Sequence, residues 1–353
     1  MKKALILVLT FLLILVVGCG SSAPDGGDTS KSSSSGGGLI SDTSSVVSKV
    51  DPLTCTHEYV ETITRKPRVL DVGEKIFTCE FCKASYTEEI PKTNSFKVLA
   101  IGNSLTNDAT QYLGDILKNA GVENAVIGRL FWSGCTINQH WKHITEFAEV
   151  YDYGENVNGV WQSYGKYNVQ MALEKYDWDY IILQETIASV TYQSSYKNLK
   201  DLVSYVKGTN PKAELAWQLM WAYQAETESK WCRYRTKEEQ ILMYDQIIST
   251  YKSYVRHYKD IEHLIPSGTA VQNLRTSNIG DTITTDGLHM THSHGRYITA
   301  LTWFAALTGG DVDIVDWYPP NYPEVAEDIA IIRQSVKDAI KTPLAITQQT
   351  TEK

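Results

Sequence analysis

A serine, an aspartate and a histidine in this chain have the residue types that acyl transfer needs. The run KVLAIGNSLTNDA (97–109) is apolar up to Ile101 and then presents Gly102, Asn103 and Ser104 in a row. Far downstream, TTDGLHMTHSHGRY sets Asp286 and His289 three residues apart, just ahead of a helical pattern. A serine hydroxyl is a weak nucleophile until a base takes its proton, and a histidine serves as that base when a carboxylate fixes its tautomer. The plain alternative for Ser104 is a hydroxyl in a strand-to-helix turn. A second set of donors, Cys55 and His57 with Cys79 and Cys82, forms two close pairs. Three thiolates and an imidazole suit tetrahedral zinc. Using all four leaves no open coordination position, so a structural and not a catalytic role is expected. A Cys79–Cys82 or longer-range disulfide is the alternative, because exported cysteines often oxidise.

The elements that must position the first set read as alternating strands and helices from Ser95 to about Pro343. FKVLAIG, ENAVIGRLF, WDYIILQ, AELAWQLMW and EHLIPSG are strand-like runs. Between and after them, NDATQYLGDILKNAG, TINQHWKHITEFAE, YKNLKDLVSYVKG, KEEQILMYDQIISTYKSYVRHY and SHGRYITALTWFAALTG have helical spacing. Apolar strands separated by helices imply a parallel sheet covered on both faces, with ligands outside the carboxyl ends of the strands. Those ends carry Gly102-Asn103-Ser104, then Ser133-Gly134-Cys135, then Gln184-Glu185, and lastly the loop with Asp286 and His289. The expected fold is a three-layer α/β/α arrangement around a central parallel sheet.

AIGNSLTND resembles the first block of the SGNH (GDSL-like) hydrolases, TDGLH resembles their last block, and Gly134 in FWSGC is placed like their second-block glycine. Together with WDYIILQ and DGLHMTHSHGRYITALTWFAALTG, the pattern is similar to an SGNH-like group called domain of unknown function 4886. The resemblance covers most of 95–310. It implies a flavodoxin-like sheet order, Ser104 as nucleophile, His289 as its base and Asp286 as the orienter of the imidazole. It also implies an oxyanion hole built from the backbone N–H groups of Ser104 and Gly134, and no cofactor for catalysis.

One block departs from the family. Its Gly-x-Asn-Asp motif, whose asparagine amide donates to the oxyanion, is absent here, and LQET stands at that strand end. Gln184 carries the same NH2 donor on a longer arm and is expected to substitute. Asn103, His140 and Trp221 are candidates to line the pocket. Each has a plainer reading: Asn103 as a turn residue, His140 as a helix residue, Trp221 with Trp217 and Tyr223 as core. His143, His292 and His294 are expected to face solvent or cap a helix. Cys135 and Cys232 could pair or stay as separate thiols.

The termini frame a domain order. Residues 1–19 have Lys2 and Lys3, an apolar stretch from Ala4 to Val17, and Gly18-Cys19. That stretch is short for a membrane span and reads as an export signal. The Gly-Cys ending resembles a bacterial lipobox, which implies cleavage before Cys19 and lipid on that residue, holding the protein on the outer face of the cell membrane. Residues 20–50 are Gly/Ser-rich linker. Residues 51–93 form the Cys/His module, which resembles small zinc-ribbon-like repeats, with Gly73 expected in a turn. Residues 95–343 form the large domain, and 344–353 a C-terminal tail.

The 353 residues carry a net charge of −8 with no long block of one sign, which excludes the basic stripe of a nucleic-acid binder. The 21 tyrosines and 9 tryptophans supply rings that could stack on sugars. The resulting expectation is a lipid-anchored serine esterase that removes a small acyl group from a carbohydrate. Its rivals are a glycan-binding lipoprotein without catalysis and an O-acyltransferase using the same triad.

Overall fold

Residues 51–228 and 234–349 are described by the structure, a computed structural model. Cys19, with the lipidation expected of it, and Cys232, for which pairing or a separate thiol is open, lie outside the described residues, as do the signal and linker segments. No helix among the described residues is long and apolar enough to cross a membrane.

The chain first makes a small antiparallel sheet of β1 (Tyr59–Arg65), β2 (Gly73–Cys79) and β3 (Ser85–Ile90). Its register pairs Tyr59 with Cys79, which brings the segment before β1 beside the turn after β2. Gly73 opens β2 instead of lying in a turn, and a Cβ there would sit 2.6 Å from the Pro67 nitrogen. The linking segment leans on the large domain: Arg68 donates to Ala306 O at 3.1 Å, and Lys66 pairs with Glu262 at 2.7 Å.

The large domain then runs β4 (Phe96–Gly102), α1 (Ser104–Thr110), α2 (Leu113–Asn119), β5 (Ala125–Phe131), α3 (Ile137–Thr145), β6 (Tyr151–Val157), β7 (Val160–Tyr167), α4 (Val169–Leu173) and β8 (Tyr180–Leu183). It continues through α5 (Leu199–Thr209), β9 (Glu214–Gln218), α6 (Lys237–Thr250), β10 (Ile261–Ile265), α7 (Ser267–Arg275), α8 (His294–Thr308), α9 (Glu324–Glu327) and α10 (Ile329–Lys341). The seven strands lie in the order β10-β9-β8-β4-β5-β6-β7. The five strands expected from the sequence are mutually parallel, in the flavodoxin-like order. Along β4, Val98 and Ala100 enter one apolar cluster while Leu99 and Ile101 enter the other, so the strand is apolar throughout because both its faces are covered. Helices α1, α2, α6, α7, α8 and α10 cover the first face, and α3, α4 and α5 the second.

Three features correct the sequence reading. The sheet is mixed, because β6 and β7 extend it as an antiparallel hairpin. Its turn is Asn158-Gly159, at φ +50° and +91°, the residue pair that a tight hairpin turn favours. The helix expected over 107–121 is two short ones, and the break lets Tyr112 OH donate to His292 O at 2.7 Å. The tail packs against α7 through Thr347 N to Asn273 Oδ1 (2.7 Å) and Gln349 N to Thr276 Oγ1 (2.8 Å).

Candidate active site

β4 delivers the serine through a turn in which each residue has a local reason to be there. Gly102 has no room for a side chain, since a Cβ would lie 2.0 Å from Thr106 Oγ1. Asn103 caps α1 by accepting from Leu105 N at 3.1 Å, and its Nδ2 donates to Cys135 O at 3.0 Å. That second bond ties the residue before Ser104 to the residue after Gly134. Gly134 itself has φ +64°, a left-handed conformation that glycine adopts without strain. Neither the Ser104 N–H nor the Gly134 N–H makes a hydrogen bond among the described residues.

The histidine arrives on a loop that builds itself. Asp286 Oδ1 accepts the N–H groups of Leu288 (3.0 Å) and His289 (2.7 Å). Its Oδ2 meets His289 Nδ1 at 2.8 Å, and His289 Nε2 meets Ser104 Oγ at 2.8 Å. Partial burial works against the charged form of Asp286. The His289 ring and the two backbone N–H groups outweigh it and hold the carboxyl below its usual range. The carboxylate therefore fixes Nδ1 as the protonated nitrogen and leaves Nε2 free to take a proton from Ser104. The Asp286 side chain is 54% exposed and that of His289 33%, so the triad lies open at the surface.

Two buried residues that the sequence reading left out, or read differently, hold the halves of the triad together. Asp108, one helical turn beyond Ser104, accepts from Met290 N at 2.9 Å and pairs with Arg296 of α8 at 2.9 Å. Burial pushes the Asp108 carboxyl up, against the pull of the Met290 N–H and Arg296. Asp108 stands in SLTND, directly after the serine block, but only the fold shows what it meets. Trp221, proposed as a pocket wall, is fully buried, and its Nε1 donates to Leu288 O at 2.9 Å. It supports the histidine loop from below.

The remaining candidates are placed as follows. Gln184 is buried, and its amide donates to Asn103 Oδ1 at 2.9 Å, so it braces the serine turn rather than extending toward the oxyanion as expected. His140 is buried under the Gly134 loop, with Nδ1 2.8 Å from Tyr151 OH and 3.3 Å from Cys135 Sγ, and does not line the pocket. His143 is also buried and meets Tyr151 OH at 3.0 Å, which corrects its expected exposure. Asn103 is wholly buried, so it shapes the turn instead of facing a ligand. His294 pairs with Asp328 at 2.9 Å and His292 stacks on Tyr322. Cys135 is a free thiol.

In the small module, the ligand atoms of Cys55, His57, Cys79 and Cys82 all lie within 4.8 Å of one another. Cys55 Sγ is 3.7 Å from Cys79 Sγ, and Cys82 Sγ is 3.4 Å from His57 Nδ1. Zinc–sulfur bonds of ~2.3 Å at tetrahedral angles imply edges of roughly 3.8 Å, so the donor set has the right spread for zinc. The three cysteines are free, not disulfide-bonded.

A flavodoxin-ordered sheet with a serine after its first parallel strand and an Asp-x-x-His loop before a late helix defines an SGNH-like protein. The chain belongs to the family described as domain of unknown function DUF4886, whose model matches residues 97–338. A DUF4886 family protein from Bacteroides uniformis is 32% identical with a TM-score of 0.67, over 72% of this chain and 98% of that one. A proposed SGNH hydrolase from Slackia heliotrinireducens shares 17% identity and a TM-score of 0.40, over 61% of this chain and 100% of its own. A proposed GDSL-like lipase from Parabacteroides merdae shares 13% and 0.42, over 62% and 99%. No curated protein matches the chain significantly.

Proposed function

We propose that the protein is a serine esterase that removes a small acyl group, acetyl above all, from a carbohydrate. The observation that carries this reading is the hydrogen-bonded line from Asp286 Oδ2 through the His289 ring to Ser104 Oγ, with both contacts at 2.8 Å. His289 Nε2 takes the Ser104 proton as Oγ attacks the acyl carbonyl. The oxyanion faces the free N–H groups of Ser104 and Gly134. His289 then gives the proton to the departing sugar oxygen, leaving Ser104 acylated. Water, deprotonated by the same imidazole, attacks the acyl group and restores the serine. The surface-open triad favours a small acyl group on a bulky substrate over a long chain that needs a deep tunnel. Export with a lipid on Cys19 would set the enzyme among extracellular glycans.

The test is hydrolysis of a chromogenic acetyl ester by the purified protein beside Ser104→Ala. A fall of at least about 10³-fold in kcat is expected, and equal rates would remove Ser104 from its role. The position of Gln184 favours one second reading. With that amide bonded to Asn103, the oxyanion hole has two backbone donors, and a glycan-binding protein that no longer turns over would share this arrangement. Labelling of Ser104 by a fluorophosphonate probe separates the two, since only an activated serine reacts. Acyl transfer shares the acyl-enzyme step, and product analysis with an acceptor sugar present distinguishes it from hydrolysis.

We further infer that Cys55, His57, Cys79 and Cys82 hold a zinc ion. Among residues 51–94 only Gly73 and Cys79 are buried, so burial of apolar surface does little to hold this sheet together. A metal bound by the thiolates and imidazole would supply that stability.

A further inference from the structure

A cavity of about 330 Å³ opens between α1 and the β6–β7 hairpin, lined by Asn107, Arg129, Phe131, Trp161, Gln162 and Ser163 among others. It adjoins the triad by two routes. Asn107 is one helical turn from Ser104 on the same side of α1. Phe131 pairs in register with Gly102, and the residues after it form the Gly134 loop. Within the cavity, Arg129 stands out. Its guanidinium lies 4.1 Å from the centre of the Trp161 ring, and its side chain has no hydrogen bond or ion pair among the described residues. The nearby charges are already matched: Asp152, also in the lining, pairs with Lys166 at 2.7 Å, and Asp108 pairs with Arg296 at 2.9 Å.

A half-buried arginine without a counter-ion is costly unless something else supplies the charge. Burial, and next Arg296, push its pKa down to about 10, so it stays charged at neutral pH. A guanidinium set over the Trp161 ring can rest on it by its flat face, which leaves the N–H fork in its plane to meet a planar anion. Trp161 is held in turn by Nε1 to Gln111 O at 3.4 Å. Asn107 Oδ1, also without a partner among the described residues, and Ser163 in the lining add polar groups suited to hydroxyls.

We propose that this cavity is a subsite for a carboxylate-bearing sugar ring, with Arg129 holding the carboxylate, next to the sugar from which the acyl group is removed. This deepens the esterase reading and rests on it for the placement of the acylated ring. The substrate is then an acylated acidic glycan, and Arg129 is a specificity-determining residue.

The test is calorimetric titration of the full-length Ser104→Ala protein with the methyl glycoside of a hexuronic acid and with its uncharged hexose counterpart. The uronate is expected to bind about tenfold or more tighter, the factor that one charge-assisted hydrogen-bonded pair supplies. Adding Arg129→Gln should abolish that selectivity, and Arg129→Lys, which keeps the charge without the fork, should retain only part of it. Melting temperatures show whether each variant is folded, and if Arg129→Gln fails to fold, Arg129→Lys carries the comparison. Equal binding of the two glycosides, no measurable uronate binding, or uronate binding unchanged by the Arg129 substitutions would overturn the proposal. Acetyl ester hydrolysis by the parent protein is measured separately. Uronate selectivity without hydrolysis retires the esterase reading and keeps the subsite, whereas hydrolysis without selectivity retires the subsite alone.

Discussion

Gln184 stands at the strand end where the resemblance to SGNH hydrolases implies an oxyanion-donating asparagine, and its extra methylene matters. The longer arm reaches Asn103 Oδ1, and Asn103 in turn caps α1 and holds Cys135 O. Gln184 is thus a positioning residue that acts through the serine turn. Gln184→Ala is expected to lower kcat by roughly tenfold with KM nearly unchanged, against the ~10²–10³ that deletion of a direct oxyanion donor costs. Steady-state kinetics on the acetyl ester decide which figure applies. Glutamine and asparagine share donor chemistry, so residue type pointed to the oxyanion. What the amide meets depends on a partner 81 positions away.

At the scale of elements, the triad depends on two joints. One links α1 to the histidine loop through Asp108, which is 98–99% enclosed and shared between Met290 N and Arg296. Asp108→Asn leaves Arg296 without its counter-charge. It should lower stability by about 3 kcal/mol, the low end for breaking a buried pair, and should slow kcat as Ser104 and His289 drift apart. Denaturant midpoints and kcat measured together check both effects. The other joint holds α3 beside the Gly134 loop: buried Glu185 accepts from Ile137 N at 3.2 Å and Thr186 N at 2.7 Å. Burial pushes its carboxyl up to about 8, despite those two N–H donors. In the unfolded chain a glutamate ionises near 4.3. Between those values the unfolded state has released a proton that the folded state keeps, so this group's stabilising contribution declines as pH rises toward 8 and is constant beyond it. Glu185→Gln lacks that ionisation. Melting curves from pH 5 to pH 8 should show the variant gaining on the parent as pH rises; a constant difference would contradict the buried, protonated state.

For the whole molecule, the three-stranded module is the part with least core, and it leans on the large domain through Arg68 and Lys66. If zinc holds it, the purified protein should contain about one equivalent, and Cys82→Ser should lose it. A chelator should lower the melting temperature of the parent and leave that variant unmoved. Metal analysis near zero in reduced protein would contradict the assignment. The large domain should keep its ester hydrolysis under the same chelation, because no step of the proposed chemistry passes through the metal.

The features legible in the sequence are those encoded within a few residues or by a simple period. The apolar runs of the five parallel strands, the Asp-x-x-His loop that closes on its own backbone, the Gly102-Asn103-Ser104 turn and the two Cys/His pairs are all short-range patterns. The Asn158-Gly159 turn is equally short-range, and with the Tyr151-Asp152-Tyr153 alternation ahead of it marks the hairpin. Long-range register decided the rest. Sheet order brings Arg129 against Trp161, the packing of α1 on α8 gives Asp108 its partners, and Trp221 reaches Leu288 across 67 positions. The sequence by itself therefore determined which groups could do chemistry and which strands would carry them. Only the tertiary structure decided which polar side chains turn inward as supports and which stay free to meet a substrate, because nearly all buried polar groups need a partner and the fold alone says where that partner is.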